Sequence, residues 1–415
     1  MSSNKSIFSS PIWQQLITDA PFAWHQRNEA VQGLQFTLPD LLHTDQILDA
    51  NIDALRIAKQ AGASLHEDLD FEDWGAVFIG AVLGLMFTDE ELLDTALAAI
   101  GEDIDRAKEL ENAISWPVTH AANQRIAQWR YHENPAIRRA FFGALYANAD
   151  PKTLHSEPQL LRTEQHPIVL TRLLDIAGNQ RNKAWKSDIV RLYNAELLEV
   201  RFYAIRAGIL LGDAKAFSHL NNIINEEGSY RADALELWLQ ANKPGETTIA
   251  EILETELSTH LQCQCVAWAG YPEFVPFLIR TMEEPLYART AGYAFSLLSG
   301  VDIMDEDLDW ELTETEQKED LYRPANESDW LCPNPDKIQT WWKQHTSKFA
   351  PKTRYMAGYP ITKSNLDKIL INGTQPQRQA AALERSFLTQ GIPVFDVKAY
   401  APLQQQRLMS LNKPA

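Results

Sequence analysis

The chain has 415 residues, 45% of them apolar, a formal net charge of −18 and only three cysteines. The apolar share is that of an ordinary folded protein, and the length suits two or three domains, or one repeat array that outgrows a single core. The negative balance argues against general nucleic-acid or anionic-membrane binding, both of which need a basic surface. Three cysteines cannot make a disulfide framework and point to a reducing cytoplasm.

In chain order, Met1 to Ser10 is polar and lacks the apolar centre of a signal peptide. Pro11 to Gln32 predicts a first helix. Thr37-Leu38-Pro39-Asp40 opens a long second one that runs to about Ala61, with Leu41, Leu48, Ile52, Leu55 and Ile57 mostly on one side. After an acidic linker from His66 to Asp73 come helices over Trp74 to Phe87 and Asp89 to Ile100, with a capping-box pattern at Thr88 and Glu91. The apolar run Ala76 to Phe87 is too short to span a bilayer, so no membrane insertion is expected. Glu102 to Ser115 predicts another helix, stopped before Pro117.

From there the pattern becomes repetitive. Val200, Ala204, Ala207 and Leu211 form the stripe of a one-sided helix. Gly212 sits at a left-handed stop, Asp213 is placed to cap a second helix, and Phe217, Leu220, Ile223 and Ile224 face inward on that helix. Cognate segments begin at Ile137, Ile168, Tyr230, Leu261 and Ala288, about 30 residues apart. Arg138, Arg201, Arg231 and Arg289 recur in register, and Ala140, Ala204, Ala234 and Ala291 are expected at close helix contacts. Helix pairs at this period predict an all-α fold, a HEAT-like α-solenoid of helical hairpins. Residues 1–115 are expected to be an N-terminal helical capping domain and 116–300 the repeats. An acidic, Trp-bearing insertion follows at 301–360, and 361–415 is a C-terminal repeat and tail. In that last part the repeat resumes at Asn365 to Leu370 and Gln375 to Thr389, Arg378 restores the Arg/Ala rhythm, and the tail from Pro393 is irregular but partly packed through Phe395, Tyr400 and Leu403.

The chain contains no nucleophile elbow, P-loop, zinc-protease or dinucleotide-binding motif. No catalytic residue, cofactor or metal site is therefore assigned. Cys263 and Cys265 lie two apart on a predicted helix and read as core thiols, while His155 and His166 flank a loop. Asp305, Asp307, Asp309, Glu311 and Glu316 have calcium-loop spacing, but Trp310 stands where that loop needs glycine. A solvated loop or docking surface fits them better. Trp341, Trp342, Phe349, Tyr355 and Tyr359 read as aromatics sealing the insertion rather than as a recognition patch.

Charge is distributed in blocks: residues 40–111 and 226–320 are acidic, whereas 121–210 and 321–415 are basic. Such blocks serve either contacts within the molecule or separate docking surfaces. Asp305, Asp307, Asp309, Trp310 and Glu311 are the candidate protein-binding residues, and a basic protein is the expected partner.

Several stretches resemble an uncharacterised proteobacterial family of HEAT-repeat-like proteins. They are Ile12-Trp13-Gln14-Gln15, Arg27, Thr37-Leu38-Pro39-Asp40-Leu41 and the run Leu48 to Arg56, then Pro335-Asp336, Trp341-Trp342, His345, Phe349, Arg354-Tyr355, Gly358, Pro360 and Ala381-Ala382-Leu383-Glu384. Members are often encoded beside type VI secretion genes. The resemblance implies a cytoplasmic, non-catalytic scaffold that binds a secreted effector, as an immunity protein or an effector-loading chaperone. It brings no catalytic residues. The alternative is a metal-assisted hydrolase or glycosylase on a helical-repeat scaffold, with the acidic loop as its metal site.

Overall fold

The computed structural model describes residues 11–101, 103–116, 123–148, 159–310, 330–389 and 391–411. These residues are overwhelmingly helical, and the strands among them are a single two-residue pair. Residues 1–216 with 398–415 form one compact unit and 217–397 a second. The border falls inside the segment read as repeats, and residues 398–415 group with the first unit.

The first unit contains α1 (Pro11–Gln32), α2 (Leu38–Gln60), α3 (Leu65–Asp68), α4 (Trp74–Phe87), α5 (Glu90–Ile100), α6 (Ile104–Ser115), α7 (Asn123–Gln128), α8 (Pro135–Asn148), α9 (Leu160–Thr163), α10 (Pro167–Asn179), α11 (Lys186–Arg191) and α12 (Leu198–Leu210). Thr37 and Asp40 form a capping box at the start of α2, where the Thr37 N–H donates to Asp40 at 2.8 Å. Leu41, Leu48, Ile52 and Leu55 are buried on this helix, whereas Ile57 of the expected stripe is exposed. The corner after α4 differs from expectation. Thr88 has φ of 53° and closes α4, so it cannot also supply the extended backbone of an N-cap. Asp89 caps α5 instead, accepting from the Leu92 N–H at 3.2 Å while pairing with Lys59. Every residue from Gly75 to Leu85 is buried, because α4 packs against α1, α5 and α6. A helix covered on all sides needs no polar face, which accounts for its unbroken apolar run.

The helices then stack in a row, α4 on α6, α6 on α8, α8 on α10 and α10 on α12. Ala140 and Ala204 are fully buried in this row, as the repeat pattern anticipates. The expected one-sided stripe of α12 is too narrow, however. Phe202, Ile205, Ile209 and Leu210 are buried along with Val200, Ala204 and Ala207, since both α10 and α11 cover this helix. Gly212 adopts φ of 76°, in line with its place at a helix stop. Asp213 accepts from the Tyr193 hydroxyl at 2.9 Å. That hydroxyl lies against Gly208, where any Cβ would collide with it.

The second unit contains α13 (Ala216–Asn225), α14 (Arg231–Asn242), α15 (Glu246–Leu253), α16 (Thr259–Ala269), α17 (Val275–Thr281), α18 (Pro285–Ser299), α19 (Pro335–His345), α20 (Lys363–Asn372) and α21 (Gln375–Leu388). Here α14 packs on α16 and α16 on α18, with Ala234 and Ala291 fully buried. Strands β1 (Tyr355–Met356) and β2 (Tyr359–Pro360) form a hairpin across the C-terminal ends of α16 and α18. The Tyr355 N–H donates to the Gly270 carbonyl at 2.7 Å, and the Ala357 N–H to Leu297 at 2.7 Å, so otherwise unpartnered helix-end groups are engaged. Gly270 and Gly300 end the two helices with φ of 75° and 74°, and a Cβ on either would strike the hairpin backbone.

The pair α20–α21 forms where the Arg/Ala rhythm resumes, and α21 packs on α14. Arg354 fixes this return by donating to both oxygens of buried Glu384, at 3.0 and 3.1 Å, and to the Ala269 carbonyl at 2.8 Å. Trp342, Phe349 and Tyr355 are buried, Phe349 touching the rings of both others, whereas Tyr359 is exposed beneath Lys368. The tail is a correction. Instead of remaining irregular after Pro393, the chain forms α22 (Ala401–Leu411), which packs on α2 within the first unit. Ala401 and Leu408 are its buried anchors.

Candidate functional site

After Gly300 the chain makes a compact turn with apolar and acidic residues on opposite sides. Val301, Ile303 and Leu308 are buried, whereas Asp305, Glu306 and Asp307 are exposed. The backbone is held at several points. Asp302 accepts from the N–H groups of Met304 at 2.9 Å and Asp305 at 3.1 Å, a local turn that short acidic side chains favour. The Leu308 N–H donates to Ile303 at 2.8 Å, and Asp307 takes up φ of 52°. The turn is tied to the start of α19 by reciprocal bonds, Trp310 N–H to Cys332 at 2.9 Å and Asn334 N–H to Leu308 at 2.8 Å.

The candidate binding residues therefore occupy different situations. Asp305 is exposed without an ion pair among the described residues. Asp307 lies 3.2 Å from the Lys337 ammonium, which also donates to the Asp309 carbonyl at 3.3 Å. Asp309 is half-buried in an isolated bridge with Pro333. Trp310 is 49% exposed and Met304 61%. Glu311, like Glu316 of the calcium-type spacing, lies outside the described residues. What is assembled is an acidic rim beside two large apolar side chains on a braced backbone. The Lys337 ammonium already neutralises part of the acid there. Among the described residues no group of three or more His, Cys, Asp or Glu side chains is placed to hold a metal ion. None of their helices is long and apolar enough to cross a membrane.

No family model, no curated protein and no solved structure matches the chain.

The remaining singled-out residues have structural surroundings. Cys263 and Cys265 are both buried, and burial pushes the Cys265 thiol up to about 12, which keeps it protonated. His166 is exposed at the start of α10, and His155 lies outside the described residues. The recurring arginines mostly reach backbone carbonyls. Arg138 donates to His132 at 2.7 Å, Arg231 to Ile224 at 2.9 Å, Arg289 to Trp330 at 3.2 Å and Arg378 to Leu370 at 2.8 Å. In three of the four the carbonyl belongs to the segment just before the helix.

Sequence reasoning missed a buried polar cluster in the first unit. Arg27 on α1 and Asp45 on α2 form an ion pair at 3.1 Å with both side chains inaccessible. Arg27 also donates to the carbonyls of Lys398 at 2.7 Å and Ala399 at 3.1 Å, while Asp45 accepts from the Ala401 N–H at 2.6 Å. Asp49 accepts from the Tyr400 hydroxyl at 2.6 Å and the Trp116 indole at 3.0 Å. The Arg27 guanidinium stands over the rings of Trp24 and Trp116. Asp45 and Asp49 are four apart on one helix and Tyr400 is expected to be packed, but neither signal reveals partners more than 350 residues apart.

Proposed function

We propose that the chain is a non-catalytic protein-binding scaffold, a HEAT-like α-solenoid whose braced acidic turn at 301–310 receives a basic protein. Support for the repeat architecture comes from the successive packing of α4, α6, α8, α10 and α12, and of α14, α16 and α18. The docking role rests on one observation: half-exposed Trp310 and exposed Met304 stand beside exposed acids on a backbone fixed at both ends. Aromatic side chains anchor interfaces, charged rims steer encounter, and a braced backbone avoids the entropy cost of ordering on binding. Its resemblance to proteins encoded beside type VI secretion genes directs the choice of partner to a basic secreted effector, bound by an immunity protein or loading chaperone.

The test is association of the full chain with the basic protein encoded beside it, followed by biolayer interferometry at rising salt. Association is expected to slow markedly as salt passes the physiological range. Charge reversal at Asp305 and Glu306 should lower the on-rate more than it raises the off-rate. Trp310→Ala should act mainly through the off-rate, weakening binding about tenfold or more. Salt-insensitive binding unaffected by all three changes would show that the turn is not the docking surface.

A further inference from the structure

In the first unit, Asp188 on α11 is buried, and one of its oxygens accepts from two arginines. Nε of Arg162 on α9 donates to it at 2.8 Å, and a terminal nitrogen of Arg191 at 2.6 Å. The two short helices pack together, which sets both guanidinium groups side by side over a single carboxylate. The neighbouring pair is balanced instead. Arg138 and Glu164, separated by the same 26 residues as Arg162 and Asp188, meet one to one at 3.0 and 3.1 Å. Glu164 also accepts from the N–H groups of Gln165 and His166, so it is committed to its own corner.

Asp188 thus serves two arginines, and one positive charge at this corner has no carboxylate of its own among the described residues. The arginine side chains are 54% and 61% exposed, whereas the carboxylate that holds them is 4% exposed. One edge of each guanidinium is anchored. Both terminal nitrogens of Arg162, with Nε and the second terminal nitrogen of Arg191, make no hydrogen bond among the described residues. Two planar forks, fixed at their inner edges, therefore present their remaining donors at the surface.

We infer that this corner receives a phosphorylated serine or threonine side chain of a partner protein. A phosphomonoester carries about 1.5–2 negative charges near neutral pH and three acceptor oxygens, enough to engage both forks at once. Because Asp188 fixes the arginines beforehand, less side-chain freedom is lost on binding. Nucleic acid is a poorer occupant. Its phosphodiesters carry one charge each, and a long polyanion meets the field of a chain whose net charge is −18. A small free phosphate compound fits less well too, since such ligands are mostly enclosed by their sites, and these arginines are more than half exposed. Val190, beside Arg191, is exposed as well and offers an apolar foothold to a peptide flank. This site is separate from the acidic turn and does not depend on it.

Fluorescence anisotropy with the full chain tests the proposal. The probe is a mixture of short labelled peptides, random in sequence around a fixed central phosphoserine. Its comparators are the same mixture with serine or glutamate at the centre, and a single-stranded oligonucleotide. The phosphoserine mixture should bind most tightly, at least about tenfold more tightly than the serine one, with affinity falling as salt rises. Arg162→Gln and Arg191→Gln should each weaken it about tenfold, the loss expected for one charge-assisted hydrogen bond. Either change leaves Asp188 the other arginine, so its carboxylate keeps a partner. The preference for phosphoserine in the parent chain decides the matter even where a variant folds poorly. Absence of binding, equal affinity for the phosphoserine and serine or glutamate mixtures, or tighter binding of the oligonucleotide overturns the proposal. So does unchanged phosphopeptide affinity in both variants, which would assign the two arginines to holding α9 on α11 alone.

Discussion

Arg27 and Asp45 show how much a single buried pair can carry in this chain. Removing one partner leaves the other charge desolvated, which typically costs 3–5 kcal/mol, about the same as losing several exposed ion pairs. Asp45→Ala should therefore lower stability by roughly that amount, and urea unfolding would measure it. A loss below about 1 kcal/mol would mean that water or a neighbouring group takes over the role of the carboxylate. Glu109 gives a different expectation. It is buried on α6, accepts from the Trp24 indole at 2.5 Å, and burial pushes its carboxyl up to about 7. The folded chain thus holds this proton more tightly than the unfolded one. Its stabilising contribution is complete below about 4.5 and disappears as pH rises through 7. Glu109→Gln should flatten stability against pH across that window and exceed the parent above it, by up to about 3 kcal/mol. Thermal melts at both ends of the window would detect it, and parallel profiles for the two proteins would refute it.

At the scale of helices, the closest packing is where small residues permit it. Ala204 is fully buried between neighbouring helices, and Ala204→Phe should overpack the row by about 1–3 kcal/mol. Melting at the parent's temperature would show that the row yields at this point. Much of this level was legible in the sequence. The bounds of α1 and α4 emerge directly from apolar spacing and turn residues, and Ala140, Ala204, Ala234 and Ala291 stand at buried positions because small residues recur where helices approach. Less legible was α12, whose burial on nearly all sides erases the one-sided stripe on which periodicity depends. The helix α22 was also missed, since the sequence from Ala401 to Leu411 is rich in glutamine and its apolar anchors are few. In the acidic turn, composition marked the acids and Trp310. It could not show that Lys337, about thirty residues later, engages Asp307, because that pairing depends on the bridge between Asp309 and Pro333. The ion pairs between helices were partly visible as recurrent arginine. Arg139, Arg172 and Arg206, which join α6, α8, α10 and α12 through Glu111 and Asp175, lie outside that register, while Arg231 within it holds backbone and Arg138 holds both backbone and Glu164.

For the molecule as a whole, the decisive feature is that residues 398–411 complete the first unit after the chain has built the second. Deleting them would remove the Lys398 and Ala399 carbonyls from Arg27 and the Ala401 N–H from Asp45, leaving two buried charges short of partners. The shortened chain should melt several degrees lower and expose apolar surface around α2, detectable as increased dye binding. An unchanged melting temperature would mean that the pairs close over without the segment. Because its covalent link to the rest of the first unit passes through the second, this segment can also be viewed as a ligand on a folded tether. Cleaving the backbone within 217–397 would turn an intramolecular contact into a bimolecular one, and its effective concentration would fall to that of the free fragment. A synthetic peptide spanning 398–411 should then compete for its own seat, and the dilution at which it is lost would measure how strongly the fold grips its returning segment.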